Sequence, residues 1–338
     1  MAKYNSIAVI YGSDTSEWEV SCRSGEFTAS RVDDTRYDVY EIFARFGKWS
    51  LVAYRKKNAM RVIFPDIARP EIDKSDFSVR IYGEKVNFDF ALIMQHGAPG
   101  ETGQLQGYLE MLKVPFSTCS SFVSAVAFDK YACKRYMDGV DFVKMAPDLL
   151  VRQGDDLDAF IAKVEERLSF PVFVKPTSGG SSFGLTKVVE PGGLADAIKF
   201  AFSESGTVLV EQGVLGRELT CASYSDGQSV RSLPVIEIIS ENDFFDYDAK
   251  YNGHSNEVCP AEIPAETAAL VQATTEKIYA FLGCNGVVRA DYIWAEDGLY
   301  FLELNLIPGM TSASLVPKMV RTAGIEMSDF LTAIIENS

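Results

Sequence analysis

The chain has 338 residues, of which 47% are hydrophobic and 23% charged, so a well-packed fold of two or three domains is expected. Its formal net charge of -15 excludes a general nucleic-acid binder, because such proteins need an excess of Lys and Arg. Six scattered cysteines without a C-x-x-C pair exclude a disulfide framework and a zinc cluster, and the lack of an apolar run near ~18 residues excludes a membrane span and favours a cytoplasmic enzyme.

The first predicted element is a buried strand at residues 7–11, where five apolar residues stand in a row before Gly12. A similar strand is predicted at residues 90–94, shortly before His96. The carboxyl ends of two parallel strands would meet in one crevice, as in a mononucleotide-binding α/β unit. Between these strands, residues 37–80 alternate polar and apolar side chains and predict antiparallel hairpins.

The most informative stretch of the chain is residues 172–184, which read VFVKPTSGGSSFG. Its β-branched start predicts a buried strand that ends at Lys175, and the glycines allow backbone N–H groups to turn toward an anion. A polyphosphate is the expected ligand. The motif is not a P-loop, because no G-x-x-x-x-G-K-[ST] pattern occurs and the lysine precedes the glycines. Upstream, residues 122–137 predict a helix that carries Lys130.

The same loop contains the pattern G-x-S-x-G around Ser182, with His254 downstream in hydrolase order. A nucleophile elbow needs a helix after the serine, whereas residues 185–189 are β-branched and alternate like a second strand. The stretch therefore predicts a hairpin whose glycine-rich tip covers phosphates. A serine hydrolase and an ordinary flexible hairpin loop remain as alternatives.

Further along the chain, residues 208–211 predict a strand, and residues 264–281 predict a long helix that Gly283 ends. Residues 308–315 read PGMTSASL, which predicts a turn into the start of another helix. A helix start supplies backbone N–H groups and a positive dipole end, which suit a carboxylate or a developing oxyanion.

A hairpin of alternating residues is predicted at residues 287–305. If its turn has three residues, Asp291 lies opposite Glu303, and Arg289 lies opposite Asn305. Two facing carboxylates repel each other unless a proton or a cation lies between them, and Asn305 adds an oxygen ligand, so magnesium is predicted. A surface ladder satisfied by Arg289 alone is the alternative.

Taken together, these motifs resemble the ATP-grasp superfamily, and specifically the D-alanine–D-alanine ligase family. The resemblance extends to five further motifs: EWEVS at 17–21, HG at 96–97, QLQG at 104–107, FDYDAKY at 245–251 and SLVP at 314–317. It covers nearly the whole chain, with residues 37–80 contributing least.

The resemblance implies an α/β fold with α+β character in its ATP-grasp part and three domains. These are an amino-terminal Rossmann-like substrate domain (1–118), a central ATP-grasp domain with the glycine-rich flap (119–211) and a carboxyl-terminal ATP-grasp domain with the metal and substrate sites (212–338). The implied reaction is ATP-dependent ligation of two D-alanines to D-alanyl-D-alanine through an acylphosphate, for peptidoglycan precursor synthesis. Two Mg²⁺ ions, or Mn²⁺ in their place, a homodimer and a cytoplasmic location are implied, with neither nucleic acid nor membrane as a partner.

The resemblance also assigns roles to individual residues. Those implied to bind ATP are Lys130, Lys175, Ser182, Glu211, Gln212, Val214 and Glu218. Those implied to hold magnesium are Asp291, Glu303 and Asn305. Those implied to act in catalysis are Glu19, Ser181, Tyr251, Arg289 and Gly309, and those implied to bind D-alanine are Glu19, His96, Lys250, Ser314 and Leu315.

The chain departs from the family pattern at a few positions. Thr102 stands where an aspartate is common, and Leu306 and Ile307 stand where small hydroxyl residues are often found. Family members that make a depsipeptide tend to lack the loop tyrosine, so the resemblance implies a dipeptide product for a chain with Tyr251. Two alternatives remain: a ligase with another D-amino or hydroxy acid as second substrate, and a nucleotide-binding module without turnover.

Overall fold

The structure is a computed structural model that describes residues 2–180, 183–240 and 255–338. The described strands form sheets of five, four, six and three strands. Five residues named from the sequence lie outside the described ranges: Ser181, Ser182, Lys250, Tyr251 and His254. No helix in the described part of the chain is both long and apolar enough to cross a bilayer.

The first sheet has the spatial order β4-β3-β2-β1-β8. Its strands are β1 (Ser6–Tyr11), β2 (Asp38–Arg45), β3 (Lys48–Arg55), β4 (Val62–Ile63) and β8 (Phe90–Ile93). β1 runs parallel to both β2 and β8, with helix α1 (Trp18–Arg31) between β1 and β2, so the predicted mononucleotide-like unit is confirmed. β1 is buried along its whole length because each face of this sheet is covered.

The hairpins predicted for residues 37–80 are confirmed. β2 pairs antiparallel with β3, and a small antiparallel sheet packs beside them. The strands of that small sheet are β5 (Ile72–Asp73), β6 (Ser78–Ile81) and β7 (Glu84–Asn87). Together with α2 (Gln104–Leu112), they cover the face of the first sheet that carries Ala8 and Ile10.

The single helix predicted at residues 122–137 is wrong. Two helices occupy this stretch, α3 (Ser121–Phe128) and α4 (Lys130–Tyr136), because Asp129 has the extended backbone angles φ -89 and ψ 110. The Asp129 carboxylate accepts a hydrogen bond from the Ala132 N–H and caps α4. The break places Lys130 at the start of a helix, where its N–H donates to the Thr177 carbonyl oxygen at 2.8 Å.

The second sheet is antiparallel and has the order β11-β10-β12-β9. Its strands are β9 (Asp148–Arg152), β10 (Val172–Pro176), β11 (Thr186–Val188) and β12 (Thr207–Gln212), with helices α5 (Leu157–Arg167) and α6 (Leu194–Ala201) packed on it. β10 and β11 form the hairpin predicted around the glycine-rich loop. A nucleophile elbow requires a helix directly after the loop, and the loop is followed by strand β11 instead.

The third sheet contains six strands in which β13 is central. They are β13 (Arg217–Ser225), β14 (Val230–Ser232), β15 (Ile236–Ser240), β16 (Ser255–Val258), β17 (Val287–Ala295) and β18 (Gly298–Asn305). The predicted long helix is confirmed as α7 (Ala265–Leu282), with Pro264 before it and Gly283 in the left-handed conformation after it.

The hairpin of β17 and β18 has the predicted pairing of Asp291 with Glu303, but its turn differs from the predicted one. The predicted three-residue turn is wrong, because Ala295 pairs with Gly298 across a two-residue turn. A β-bulge between Asp291 and Tyr292 shifts the register by one residue. Beyond the bulge Asp291 therefore lies opposite Glu303, as predicted.

Helices α8 (Leu315–Thr322) and α9 (Met327–Asn337) contribute to a core that joins the first and third sheets. Val316 and Phe330 lie in one hydrophobic core with Ile7 and Val9 of β1. Helix α3, by contrast, shares a core with the third sheet. The predicted domain boundaries thus remain a prediction, while three of the cores join residues from different predicted domains.

Candidate active site

A cleft of about 1020 Å³ lies where the three large sheets meet. Its walls come from the loop after β8, the edges of β10 and β12, the end of the β17–β18 hairpin and the turn before α8. Fourteen of the residues named from the sequence line it: His96, Lys130, Lys175, Glu211, Gln212, Val214, Glu218, Arg289, Asp291, Glu303, Asn305, Gly309, Ser314 and Leu315. Sequence motifs more than 200 residues apart thus converge on one concave surface.

Among the described site residues, Glu19 is not part of the cleft wall. Its side chain is exposed on α1, whereas Glu17, Val20 and Arg23 line the cleft on the neighbouring face of the helix. A Cβ atom added to Gly180 would lie 2.6 Å from Glu17 Oε2, so the Glu17 carboxylate is in contact with the flap. The role assigned to Glu19 stays a prediction. Residues 17, 20 and 23 are spaced by three, which places them on one side of a helix, and this spacing is the sequence signal for Glu17 as a cleft residue.

Lys130 connects the flap to the carboxylate hairpin. Its Nζ lies 3.1 Å from Glu303 Oε2 and donates to the Gly179 carbonyl oxygen at 3.2 Å. Burial opposes the charge on this ammonium, but the nearby carboxylates, Glu303 foremost, together outweigh burial and raise the pKa of Lys130. A cation is therefore held at the base of the glycine-rich loop.

Lys134 was not singled out in the sequence, yet it organises the charged groups behind the part of the cleft wall that contains Lys175 and Glu211. Its Nζ is fully buried, lies 2.6 Å from Asp148 Oδ2 and also contacts a Glu211 oxygen. The other Glu211 oxygen accepts from Lys175 Nζ at 2.6 Å. Burial favours the neutral form of Glu211, but Lys175 and Lys134 outweigh it and lower the pKa of Glu211. The sequence signal that could have identified Lys134 is its position one helical turn after Lys130, on the same side of a helix.

Replacing Lys134 with methionine is expected to lower the free energy of unfolding by about 3 kcal/mol, because it leaves buried carboxylates short of a partner. Urea denaturation at neutral pH measures the change. The matched control is Lys199→Met on α6, where the lysine is 68% exposed and its distance to Asp196 is 3.8 Å. Equal midpoints for the two variants would show that the buried charge network contributes nothing.

At the other end of the cleft, Asp291 is held by four donors. Arg289 Nε and Nη2 bind its two oxygens at 2.9 and 2.8 Å. Asn305 Nδ2 donates at 3.0 Å and Thr220 Oγ1 at 2.5 Å. Burial opposes the charge on Arg289, but Asp291 and then Glu303 outweigh it and raise its pKa, so the guanidinium stays charged. Thr220, on the adjacent strand β13, was missed because its role depends on strand pairing.

The hairpin offers oxygen donors for a metal ion. Within the described ranges, no three His, Cys, Asp or Glu side chains form a group able to hold a metal. The donor set is therefore two carboxylates, Asp291 and Glu303, with the amide of Asn305 as the third member. Hard oxygen ligands of this kind suit Mg²⁺, and the residues present fit that ion.

Glu101 is a further carboxyl group in the cleft wall that was not singled out. Its Oε2 accepts a hydrogen bond from the Gly97 N–H at 2.6 Å. Burial, and then the nearby Glu17 carboxylate, raise the pKa of Glu101 to about 8. Near neutral pH this group is largely uncharged, so it adds little to the negative charge around Lys130.

His96 lies in the wall beside the turn before α8. Its Nδ1 is 2.9 Å from the Ile307 carbonyl oxygen, and its Nε2 is 2.9 Å from Ser24 Oγ. Burial lowers the pKa of His96, so the ring is neutral. Packing explains why Leu306 and Ile307 stand where the family often has small hydroxyl residues. Leu306 is buried in one hydrophobic core and Ile307 in another.

The chain is similar to known proteins over nearly its whole length. The family described as "D-ala D-ala ligase N-terminus" matches residues 6–119, and that described as "D-ala D-ala ligase C-terminus" matches residues 137–336. A curated D-alanine–D-alanine ligase of Phocaeicola vulgatus is 41% identical over 332 residues, which cover 98% of each chain.

Two solved structures are similar over nearly the whole chain. The VanG D-Ala:D-Ser ligase of Enterococcus faecalis has a TM-score of 0.86 at 28% identity and covers 99% of both chains. The D-alanine–D-alanine ligase of Bacillus anthracis complexed with ATP has a TM-score of 0.75 at 27% identity, with coverage of 98% and 97%.

Proposed function

The chain belongs to the D-alanine–D-alanine ligase family, and from that premise we propose how its cleft joins two D-alanines at the expense of ATP. The fold is the ATP-grasp architecture of that family, and the activity is ATP-dependent ligation for cell-wall synthesis. The observation that supports this proposal most directly is that one cleft is lined by Lys130, Lys175, Arg289 and the carboxylates of the β17–β18 hairpin.

ATP is proposed to lie between the second and third sheets, where both lysines face the cleft. Lys130 and Lys175 hold the phosphates, residues 211–214 meet the edge of the adenine, and Glu218 accepts from the ribose hydroxyls. Phosphoryl transfer depends mainly on positioning and on neutralising charge, which ammonium groups supply. The Glu211 carboxylate keeps the Lys175 ammonium at a fixed place before the nucleotide arrives.

Asp291, Glu303 and Asn305 are proposed to hold two Mg²⁺ ions, or Mn²⁺, against the phosphates. The metal supplies Lewis-acid charge to the transferring phosphoryl group when it is bound. Arg289 and Lys130 hold the two carboxylates in place before the metal binds.

The reaction is proposed to proceed in two steps. The carboxylate of the first D-alanine attacks the γ-phosphorus and ADP leaves, which gives an acylphosphate. The amine of the second D-alanine then attacks the acyl carbon, and phosphate leaves from the tetrahedral intermediate. Arg289 and the Gly309 N–H donate to the oxygen that becomes negative in that intermediate.

The amino-acid subsites are proposed along the N-terminal wall and the start of α8. An acidic residue of the motif at 17–21 binds the first ammonium group, while Ser314 and Leu315 hold the second carboxylate at the helix start. Ser181, Lys250 and Tyr251 keep the roles implied for them. A homodimer in the cytoplasm remains part of this proposal.

The test is phosphate release from ATP and Mg²⁺ with D-alanine as the sole amino acid, and identification of the product by mass. D-Alanyl-D-alanine is expected, with no product from L-alanine. Further arms pair D-alanine with D-serine and with D-lactate, since VanG is a D-Ala:D-Ser ligase. A mixed product at a rate above that of D-alanyl-D-alanine would contradict the proposed second substrate.

A further inference from the structure

Helix α1 reaches across the cleft to the turn that contains Gly309. The hydroxyl of Ser24 on α1 is fully buried and accepts a hydrogen bond from the Met310 N–H at 3.2 Å. The same oxygen lies 2.9 Å from Nε2 of His96. The Nδ1 atom of His96 lies 2.9 Å from the Ile307 carbonyl oxygen. Residues 307 and 310 are thus both tied to the first predicted domain.

The direction of each proton in this chain of hydrogen bonds follows from the atoms involved. A carbonyl oxygen accepts and never donates, so His96 Nδ1 carries the proton. The neutral ring then has a lone pair at Nε2, which accepts the Ser24 hydroxyl proton. The Ser24 oxygen has a free lone pair for the Met310 N–H. Every polar atom in the chain is satisfied in this single arrangement.

We propose that Ser24 is a positioning residue, which together with His96 fixes the turn so that the Gly309 N–H points at the developing oxyanion. This inference rests on the proposed function. Gly309 has no side chain, so the direction of its N–H depends on the residues on either side of it. On one side Ser24 holds Met310, and on the other side His96 holds Ile307, which lies two residues before Gly309.

The test compares Ser24→Ala with Ser21→Ala. Ser21 lies one turn earlier on α1, is also fully buried, and donates its hydroxyl to the Met94 carbonyl oxygen at 2.7 Å. The two variants lose the same hydroxyl from the same helix, but Ser21 does not bond to the turn. Ser24→Ala is expected to lower kcat about 10- to 100-fold relative to Ser21→Ala, because a shift of ~1 Å in a reacting geometry costs up to about 10²-fold.

The KM for ATP is expected to stay within about twofold of wild type in Ser24→Ala, because Lys130 and Lys175 are held by Gly179, Glu303 and Glu211 and not by the turn in the described part of the chain. A second readout needs no activity: amide hydrogen exchange of the peptide containing Met310 should quicken in Ser24→Ala and not in Ser21→Ala. Equal kcat values in the two variants, or a matching rise in KM for ATP, would overturn the inference. Wild-type enzyme that forms no product from D-alanine would reject the proposed function instead.

Discussion

Replacing Arg289 with lysine is expected to lower kcat by about 10²- to 10³-fold, the loss that follows when one oxyanion donor is removed. Lysine keeps the positive charge but not the planar pair of donors that binds both oxygens of Asp291. The charge balance of the buried cluster is therefore preserved while the direction of the donors changes. Steady-state rates of D-alanyl-D-alanine formation measure the effect.

The matched control for this variant is Arg61→Lys. Arg61 Nε and Nη2 bind Glu41 at 2.6 and 2.7 Å, so the same paired geometry is lost, but on the first sheet and outside the cleft. This control is expected to keep a rate close to wild type. A rate for Arg289→Lys within twofold of the control would remove Arg289 from the proposed oxyanion site.

Replacing Glu303 with glutamine is expected to raise the Mg²⁺ concentration for half-maximal rate by at least about 10-fold, the loss seen when a metal site loses even an outer-shell partner. The change removes one negative charge from a three-member oxygen set and keeps the size of the side chain. It also ends the ion pair with Lys130. Rates measured over a Mg²⁺ titration at saturating ATP and D-alanine give the Mg²⁺ concentration for half-maximal rate.

The control on the same hairpin is Glu296→Gln, which makes the same chemical change at the exposed turn. Its Mg²⁺ dependence is expected to match wild type. If Glu303→Gln were slower but had an unchanged Mg²⁺ dependence, Glu303 would act through Lys130 and the metal assignment would be wrong.

Local patterns in the sequence were enough to predict much of the cleft. The strand before Lys175 and the glycines after it form one continuous signal, because β-branched residues and glycine act within a few positions. The long helix at Ala265–Leu282 has its proline and glycine signals next to it. Such features depend on neighbouring residues and can be identified before any tertiary contact is known.

Features that depend on contacts between distant residues were missed or reached for the wrong reason. The pairing of Asp291 with Glu303 was predicted from a three-residue turn. The turn has two residues, and a β-bulge shifts the register by one residue, which gives the same pairing. Lys134 was not singled out, because its partners Asp148 and Glu211 are brought next to it only by the tertiary fold. The helix break at Asp129 arises from a cap that competes with helix continuation, which periodicity does not detect.

The core that α8 and α9 share with β1 has a consequence for biosynthesis. A ribosome releases β1 long before the residues of α9, so the core that contains Ile7 and Val9 is completed only after Phe330 has been synthesised. Ala29 and Val32, which lie in the same core, are made soon after β1. This face of the first sheet can therefore gain part of its packing early, and it gains the rest only when the residues of α9 have been made.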